Sequence, residues 1–597
     1  TQYAINTNKW LLRLPARVEL QDLNGTVISR IESYYDDESF SGGNFGQATV
    51  GNLTLTRAWR TPSQPAAYLQ SSRAKYDAYG NAVTLLDPLA TAPGGVADLS
   101  QGHVRQITYD AQFHSDPIQE SIYTGSTASP LVFQAEYDFG FGTTTRSIDY
   151  NQHPTDYGYD AFGRLVEVIN PGDTAQSPTT EYDYALAVPY GSDGLVNFVE
   201  TRQLDQPAGS AGPNKRDYYV IRRDFTDGLG RKLMTKQEAE PALGSTTPRV
   251  VVQEATLFNA RQKASRILNP YFSLLTGTTL DELLAYENIE AADWKGRFHQ
   301  NGSLVDLDLS AAHQSAMAYD ATLRTIQTQD PDGSIARTVY EPLVTRAYDE
   351  NDTDPASPFF NTPMVHYQDG LGRLIRADEL SHLNDDGSPA GEIRTWTTQF
   401  TYDLNDQLTG IVDPLGNTKS MQYDGLKRKL STSDPDRGSM FFTYDDASNL
   451  KSTVDAKGQH IVYTYDGANR ILTEDYLDEA SPEFSYHRTP DVAWFYDQGA
   501  ASVDNGDGTR ATARNTKGML AYVVDTSGEE HNSYDERGRV EWTIKRVPDP
   551  FLQVSNASPP LVAYRTGFQY DSMDRVTRLT YPDNDQVSYE YNPRGLL

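Results

Sequence analysis

Tyr402-Asp403-Leu404-Asn405-Asp406-Gln407-Leu408-Thr409-Gly410-Ile411-Val412-Asp413-Pro414-Leu415-Gly416-Asn417 is one copy of a unit that begins again at Tyr423, Tyr444 and Tyr465. Each step is 21 residues, and Tyr570 and Tyr591 are separated by the same step. A short motif held at one period marks an array in which each unit stacks on the next. Alternation in Gln399-Phe400-Thr401-Tyr402 is that of a half-buried strand. The aspartate after the tyrosine can turn its carboxylate onto backbone N–H groups of the residues that follow. Glycine then supplies a positive φ, and Arg-Leu or Arg-Val opens the returning strand. A second reversal follows at Asp413-Pro414-Leu415-Gly416-Asn417 or Asp434-Pro435-Asp436-Arg437-Gly438.

One period is therefore two strands and two turns. A lone hairpin is marginal in water, so the hairpins must stack. The expected fold is mainly β, a long spiralling antiparallel sheet of stacked hairpins. Tyrosines at one register of successive hairpins are expected to form a ladder of stacked rings.

Working outward, Tyr159-Asp160-Ala161-Phe162-Gly163-Arg164 and Tyr534-Asp535-Glu536-Arg537-Gly538-Arg539 are further copies, and the copy at Tyr570 is a weaker relative. A second dialect reads Asp227-Gly228-Leu229-Gly230-Arg231 and Asp369-Gly370-Leu371-Gly372-Arg373. Its Asp-Gly pair is a tight-turn signal. Asp424-Gly425-Leu426-Lys427-Arg428 bridges the two forms. These turn residues, with Tyr402, Tyr423, Tyr444, Tyr465, Tyr570 and Tyr591, are the candidate structural site.

The whole of 1–597 reads as one shell segment, most regular over 399–475. The stretch 270–315 interrupts it. There Thr279-Leu280-Asp281-Glu282 has the form of a capping box, and Leu280, Leu283, Leu284 and Ile289 give a helical stripe, so a short helix is expected near 279–289. Segments 204–216, 349–363 and 382–391 read as exposed loops.

Composition agrees with an all-β chain. There are 38 Tyr, 44 Gly and 32 Pro, which favours strands broken by frequent reversals. A disordered chain of this polarity would be poor in aromatics. The balance of 51 basic and 82 acidic residues gives a net charge of −31, which repels phosphate backbones and argues against nucleic acid as a partner. Cysteine is absent, so disulfides, thiolate metal sites and cysteine nucleophiles are excluded. No apolar run is long enough to span a membrane as a helix.

Copies such as Tyr159 to Leu165 at this period resemble the RHS/YD repeats of bacterial polymorphic toxins, insecticidal toxin complexes and teneurins. The first half narrows the resemblance. Tyr34-Tyr35-Asp36-Asp37, Ile107-Thr108-Tyr109-Asp110, Leu257-Phe258-Asn259-Ala260-Arg261 and Asn269-Pro270-Tyr271-Phe272 are similar to the repeat region of the B component of insecticidal toxin complexes. The resemblance implies a secreted or cell-surface protein, a hollow shell that shields a C-terminal toxic cargo. It also implies two partners: the C-terminal RHS and toxin part that closes the shell, and a pore-forming translocation component. The teneurin-like branch implies the alternative, a surface adhesion or carbohydrate-binding protein.

No catalytic motif competes with this reading. Gly-x-Ser-x-Gly, His-Glu-x-x-His and the phosphate-cradling glycine loop are absent, and the ten histidines do not pair at metal-ligand spacing. The chain is expected to be no enzyme and to need no cofactor. Asp349-Glu350-Asn351-Asp352-Thr353-Asp354 and Asp504-Asn505-Gly506-Asp507-Gly508 cluster oxygen ligands, but neither has the order of a calcium loop, and solvated turns are favoured over calcium.

Overall fold

The computed structural model describes residues 1–60, 67–125, 129–190, 194–205, 218–287, 289, 295–300, 303–308, 313–384, 387–477, 490–549 and 560–597. Among them the fold is mainly β, as the repeat demands. Two antiparallel sheets of 18 and 23 strands carry nearly all of it, with two separate small hairpins.

The regular stretch shows how the sequence does this. Leu408–Val412, Thr418–Tyr423, Lys429–Asp434, Gly438–Tyr444, Leu450–Val454, His460–Tyr465 and Ile471–Tyr476 are successive strands. Each pairs with the next, with Met421 opposite Thr432 and Phe442 opposite Thr453. The register slips at each repeat tyrosine, between Gln422 and Tyr423, Thr443 and Tyr444, and Thr464 and Tyr465. The slip is a bulge made by the third residue after the aspartate, which is left-handed: Lys427 at φ 67°, Ser448 at 71° and Asn469 at 62°. The second reversal uses a left-handed glycine as well, Gly416 at 86° and Gly458 at 81°.

Among these seven strands only Met421 is fully buried, and the other side chains are half-exposed or exposed. Half-exposed residues alternate onto both faces. This sheet is therefore not one half of a sandwich with a filled core.

The chain divides into two compact units. One comprises Thr1–Asp156, Phe400–Gln569 and Arg578–Val587, and the other Tyr157–Gln399, Tyr570–Thr577 and Ser588–Leu597. The first unit has small buried clusters, the largest formed by Tyr34, Phe40, Leu55, Leu86, Ala90 and Val104.

The second unit has the largest core. Val196, Ile221, Phe225, Met234, Val250 and Val252 line its strands, and Leu275, Leu283, Leu284 and Ile289 cover them. The expected capping box is present, with Thr279 Oγ1 accepting from Glu282 N and Glu282 Oε2 accepting from Thr279 N. The helix is a single turn, Leu280–Leu283, and does not run to 289. Lys236 ends it. Its Nζ donates to the carbonyls of Leu283 at 2.8 Å and Ala285 at 2.6 Å. The chain then leaves the helical path, Tyr286 packs on Phe225, and Glu287 returns to Lys236 Nζ at 2.7 Å. Leu284 and Ile289 are buried as the stripe requires, but from an irregular chain.

Two of the expected loops also differ. Strands Leu374–Leu383 and Pro389–Tyr402 enter 382–391, because Asn384 N closes a tight turn onto Ser388 O. A helical turn, Glu350–Thr353, occupies part of 349–363. Most of 204–216 lies outside the described residues.

Both Lys236 and Glu287 are 0% exposed, and burial pushes the Lys236 ammonium down to about 8 against the pull of Glu287. Ser273 and Tyr271 donate to the Glu287 carboxylate. Removing one partner of such a pair leaves the other charge buried and unpaired, at a cost of about 3–5 kcal/mol. Lys236→Met is expected to lose hydrogen-exchange protection across 271–287, and Lys236→Met with Glu287→Leu to regain most of it. Equal loss in both variants would show that the helix-capping bonds, not the charge pair, hold the segment.

Candidate functional site: the repeat turn and the seam between sheets

The repeat turns are clamps built on one aspartate, or on Asn592 in the last copy. In the copy at Asp160, Oδ1 accepts Phe162 N at 2.8 Å and Arg164 N at 3.0 Å, while Oδ2 accepts Arg164 Nε at 2.7 Å. Asp227 holds Leu229 N, Arg231 N and Arg231 Nε in the same way, and Asp369 holds Leu371 N, Arg373 N and Arg373 Nε. Asp424, Asp466, Asp535 and Asp571 repeat it with Arg428, Arg470, Arg539 and Arg575. One carboxylate thus satisfies two turn amides and fixes the arginine that starts the next strand.

The left-handed residue is Gly163, Gly230, Gly372 or Gly538. Gly228 and Gly370 do not take a positive φ, so the Asp-Gly pair is not the centre of a two-residue hairpin turn. The turn is longer: Gly230 N bonds Asp227 O, and Asp227 N bonds Arg231 O. Tyr319-Asp320 is a further copy that sequence reading missed, because Leu323 stands where glycine is usual. Its spacing of aspartate to Arg324 was the available signal.

The repeat tyrosines end their strands. Tyr159, Tyr402, Tyr423, Tyr444, Tyr465, Tyr534 and Tyr570 are last residues of strands, and Tyr591 lies in a loop. The hydroxyls of Tyr423, Tyr444, Tyr465 and Tyr591 each donate to a carbonyl 15 residues earlier, at 2.9–3.0 Å. The expected ladder of ring on ring is not how they pack. Successive repeat tyrosines lie two strands apart, roughly 9–10 Å, which is too far for stacking. Where the clamp carries an arginine, it fills the gap; the copies at Asp403 and Asp445 have Gln407 and Asn449 in its place. Arg428 lies over Tyr444 at 5.1 Å, Arg470 over Tyr496 at 4.5 Å and Arg575 over Tyr591 at 4.7 Å.

Some turns do a second job, seating one sheet on the other. In the first unit Gly467 N donates to Thr124 O at 2.7 Å, and His103 N donates to Gly467 O at 2.7 Å. A Cβ on Gly467 would lie 2.6 Å from Gly102 Cα and 2.7 Å from Thr124 O. Asp87 Oδ2 meets His103 Nδ1 at 2.7 Å and accepts Asn469 Nδ2 at 3.0 Å. Two periods earlier Gly425 N donates to Arg60 O at 2.8 Å, with Arg60 paired to Asp446 at 2.6 Å. Further along, Asn151 and Lys517 exchange two hydrogen bonds at 3.0 Å. The second unit has its own seam, where Ser572 bonds Asp173, Arg575 pairs with Asp205 and Arg594 pairs with Glu240.

Residues 394–439 and 444–478 match the family model of the RHS repeat. This stretch of the chain is built of RHS repeats. The fold of the chain over 100% of its length is that of solved toxin-complex chains. It matches the crystal structure of TcdB2-TccC3-Cdc42 with a TM-score of 0.73 at 14% identity, over 34% of that chain. It matches TcdB2-TccC3 with a TM-score of 0.72 at 16% identity, over 32% of that chain. The Photorhabdus luminescens Tc holotoxin pore gives a TM-score of 0.73 at 15% identity, over 34% of that chain. The chain therefore spans about a third of the length of the solved chains it matches. No curated protein matches it in sequence.

The acidic loops of the chain make turns. Asp349 caps the helix Glu350–Thr353 by accepting Asn351 N and Asp352 N. Asp504 accepts Gly506 N, and Asp507 accepts Thr509 N. Among the described residues no three His, Asp or Glu side chains converge as a metal site.

Charge partners in the turns set the response to acid. Hydrogen bonds from Arg164 and Arg373 hold the Asp160 and Asp369 carboxyls below their usual range, and Lys419 brings Asp434 down to about 2. A carboxyl depressed in the fold contributes stability that is complete above its unfolded value of about 3.9 and fades as pH falls through the folded value. The β signal in circular dichroism is expected to persist below pH 4 and to be lost as pH approaches about 2. Loss already complete at pH 4 would show that these clamps do not govern the fold.

The seam gives a second prediction. Gly467→Val puts a side chain where 2.6 Å is available, and is expected to expose 101–103 and 124–125 to hydrogen exchange. Gly370→Val has nothing within 4 Å of its new Cβ and serves as the control. Equal exchange in the two variants would refute the seam as a close-packed contact.

Proposed function

We propose that this RHS chain is a wall segment of a secreted toxin shell that encloses and shields a toxic C-terminal cargo polypeptide. The observation that carries this reading is the thinness of the regular sheet. Seven successive strands have Met421 as their one fully buried side chain. Such a sheet is held laterally, by clamps and by arginines between tyrosines, and offers area rather than a filled core. Likeness of fold to TcdB2-TccC3 chains along its whole length supports the same reading.

Under this proposal the wall carries no catalysis of its own. A companion RHS part, on this or another chain, closes the shell, and a pore-forming component translocates the cargo. Seams of the Gly467 kind keep the wall tight enough to exclude proteases.

The test is protection of cargo. In the particle assembled with its RHS and toxin part, the cargo is expected to survive a protease dose that degrades the same polypeptide when free. Gly467→Val is expected to restore digestion. Cargo degraded in the native particle as fast as when free would end the proposal.

A further inference from the structure

In the first unit the N-terminal sheet has two rims. Turns at Arg60, at Asp87 to His103, at Thr124 and at Asn151 to His153 form one, and all of them are engaged by the other sheet. The alternate turns, 77–81, 110–116 and 139–142, form the opposite rim. Their tips are aromatic. Tyr79 is 65% exposed, Phe113 56%, Phe139 43% and Phe141 51%. They also touch from turn to turn. Tyr79 stacks on His114 at 3.8 Å, and Phe113 packs on Phe139 at 5.4 Å. Asn81 Nδ2 donates to His114 O at 2.6 Å, which fixes the first two turns side by side.

A continuous row of exposed rings is costly to leave in water and marks an interaction edge. We infer that this rim is the docking edge for a further antiparallel repeat sheet, whose arginine-bearing turns seat on the rings. The inference rests on the shell reading above and names the partner at its open edge.

Three observations select that occupant. First, the opposite rim of the same sheet is joined by repeat turns, Gly425 on Arg60 and Gly467 on Thr124, so turn-to-rim docking already operates here. Turns of any repeat sheet recur every two strands, roughly 9–10 Å, which matches the spacing of the rim. Second, the habitual partner of a ring in this molecule is a guanidinium, as with Arg428 over Tyr444 and Arg470 over Tyr496. Asp116 and Asp138 stand beside Phe113 and Phe139 on the same turns. Rings flanked by carboxylates favour a cationic partner. Third, the solved chains with this fold are about three times as long, which provides for further sheet. A sugar ligand fits less well, since three of the four exposed rings are phenylalanines without a polar group and the Tyr79 face is covered by His114.

The chain has no cysteine, so Phe139→Cys and Phe113→Cys each provide a single reporter at an exposed position. Maleimide labelling would be timed in the isolated 597-residue chain and in the particle assembled with its companion RHS chain. Labelling is expected near the rate of the urea-unfolded chain when isolated, and at least tenfold slower in the particle. Equal rates in chain and particle would overturn the inference, as would failure of the companion to bind the unmodified chain. Protection of the isolated chain by a soluble glycan panel would assign the rim to sugar and also overturn it. Cargo digestion in the same preparations reads the shell proposal separately. Protected cargo with a reactive rim sinks the docking edge alone, and digested cargo with a protected rim sinks the shell alone.

Discussion

The structure depends on one contact, an aspartate carboxylate closing on the amides two and four residues ahead. Without it each turn would leave N–H groups unpaired and the arginine free to swing. With it, the strand direction reverses at a fixed place, the bulge falls at the tyrosine, and the guanidinium is delivered to the neighbouring ring. The sheet then needs little core. Its strands are held by their ladders of hydrogen bonds, with guanidinium groups over the rings at Tyr444 and Tyr496. This explains how a chain can stay ordered over Leu408–Val412 to Ile471–Tyr476 with Met421 as the one fully buried side chain in those strands.

Much of this was legible in the residues. Period, turn aspartates, left-handed glycines and the capping box at Thr279 follow from local chemistry, because each acts within a few residues of itself. What could not be read was non-local. The guanidinium between tyrosines depends on strand spacing, which the repeat length alone does not express. The end of the helix at Leu283 depends on Lys236, 47 residues away, whose ammonium takes the carbonyl that a longer helix would use. The copy at Asp320 was hidden because the left-handed position tolerates Leu323, at φ 66°, once the clamp holds its neighbours.

The residue after the clamp aspartate shows where local rules stop. It varies freely among copies: Ala161, Gly228, Gly370, Asp446, Gly467, Glu536 and Ser572. Turn chemistry does not explain that variety, since the clamp bonds skip this residue. The seam does. Gly425 and Gly467 bring bare backbone against a facing strand, and Ser572 places a hydroxyl on Asp173. Gly370, with nothing within 4 Å, is under no such demand.

Variation inside the repeat therefore carries positional information that the constant residues cannot. Constant positions build the sheet and are the same wherever the copy lies. The position after the aspartate sits at the outermost point of the turn, so it meets whatever lies beyond the rim. At Gly425, Gly467 and Ser572 it meets another sheet, while Gly228 and Gly370 have nothing within 4 Å. The aromatic tips of the N-terminal sheet, Tyr79, Phe113, Phe139 and Phe141, lie in the first unit's other rim. Their bulk is incompatible with the backbone-to-backbone approach seen at Gly467. A join at that rim must therefore be made through side chains, ring against cation. A sheet built from one repeat can in this way have two chemically distinct edges.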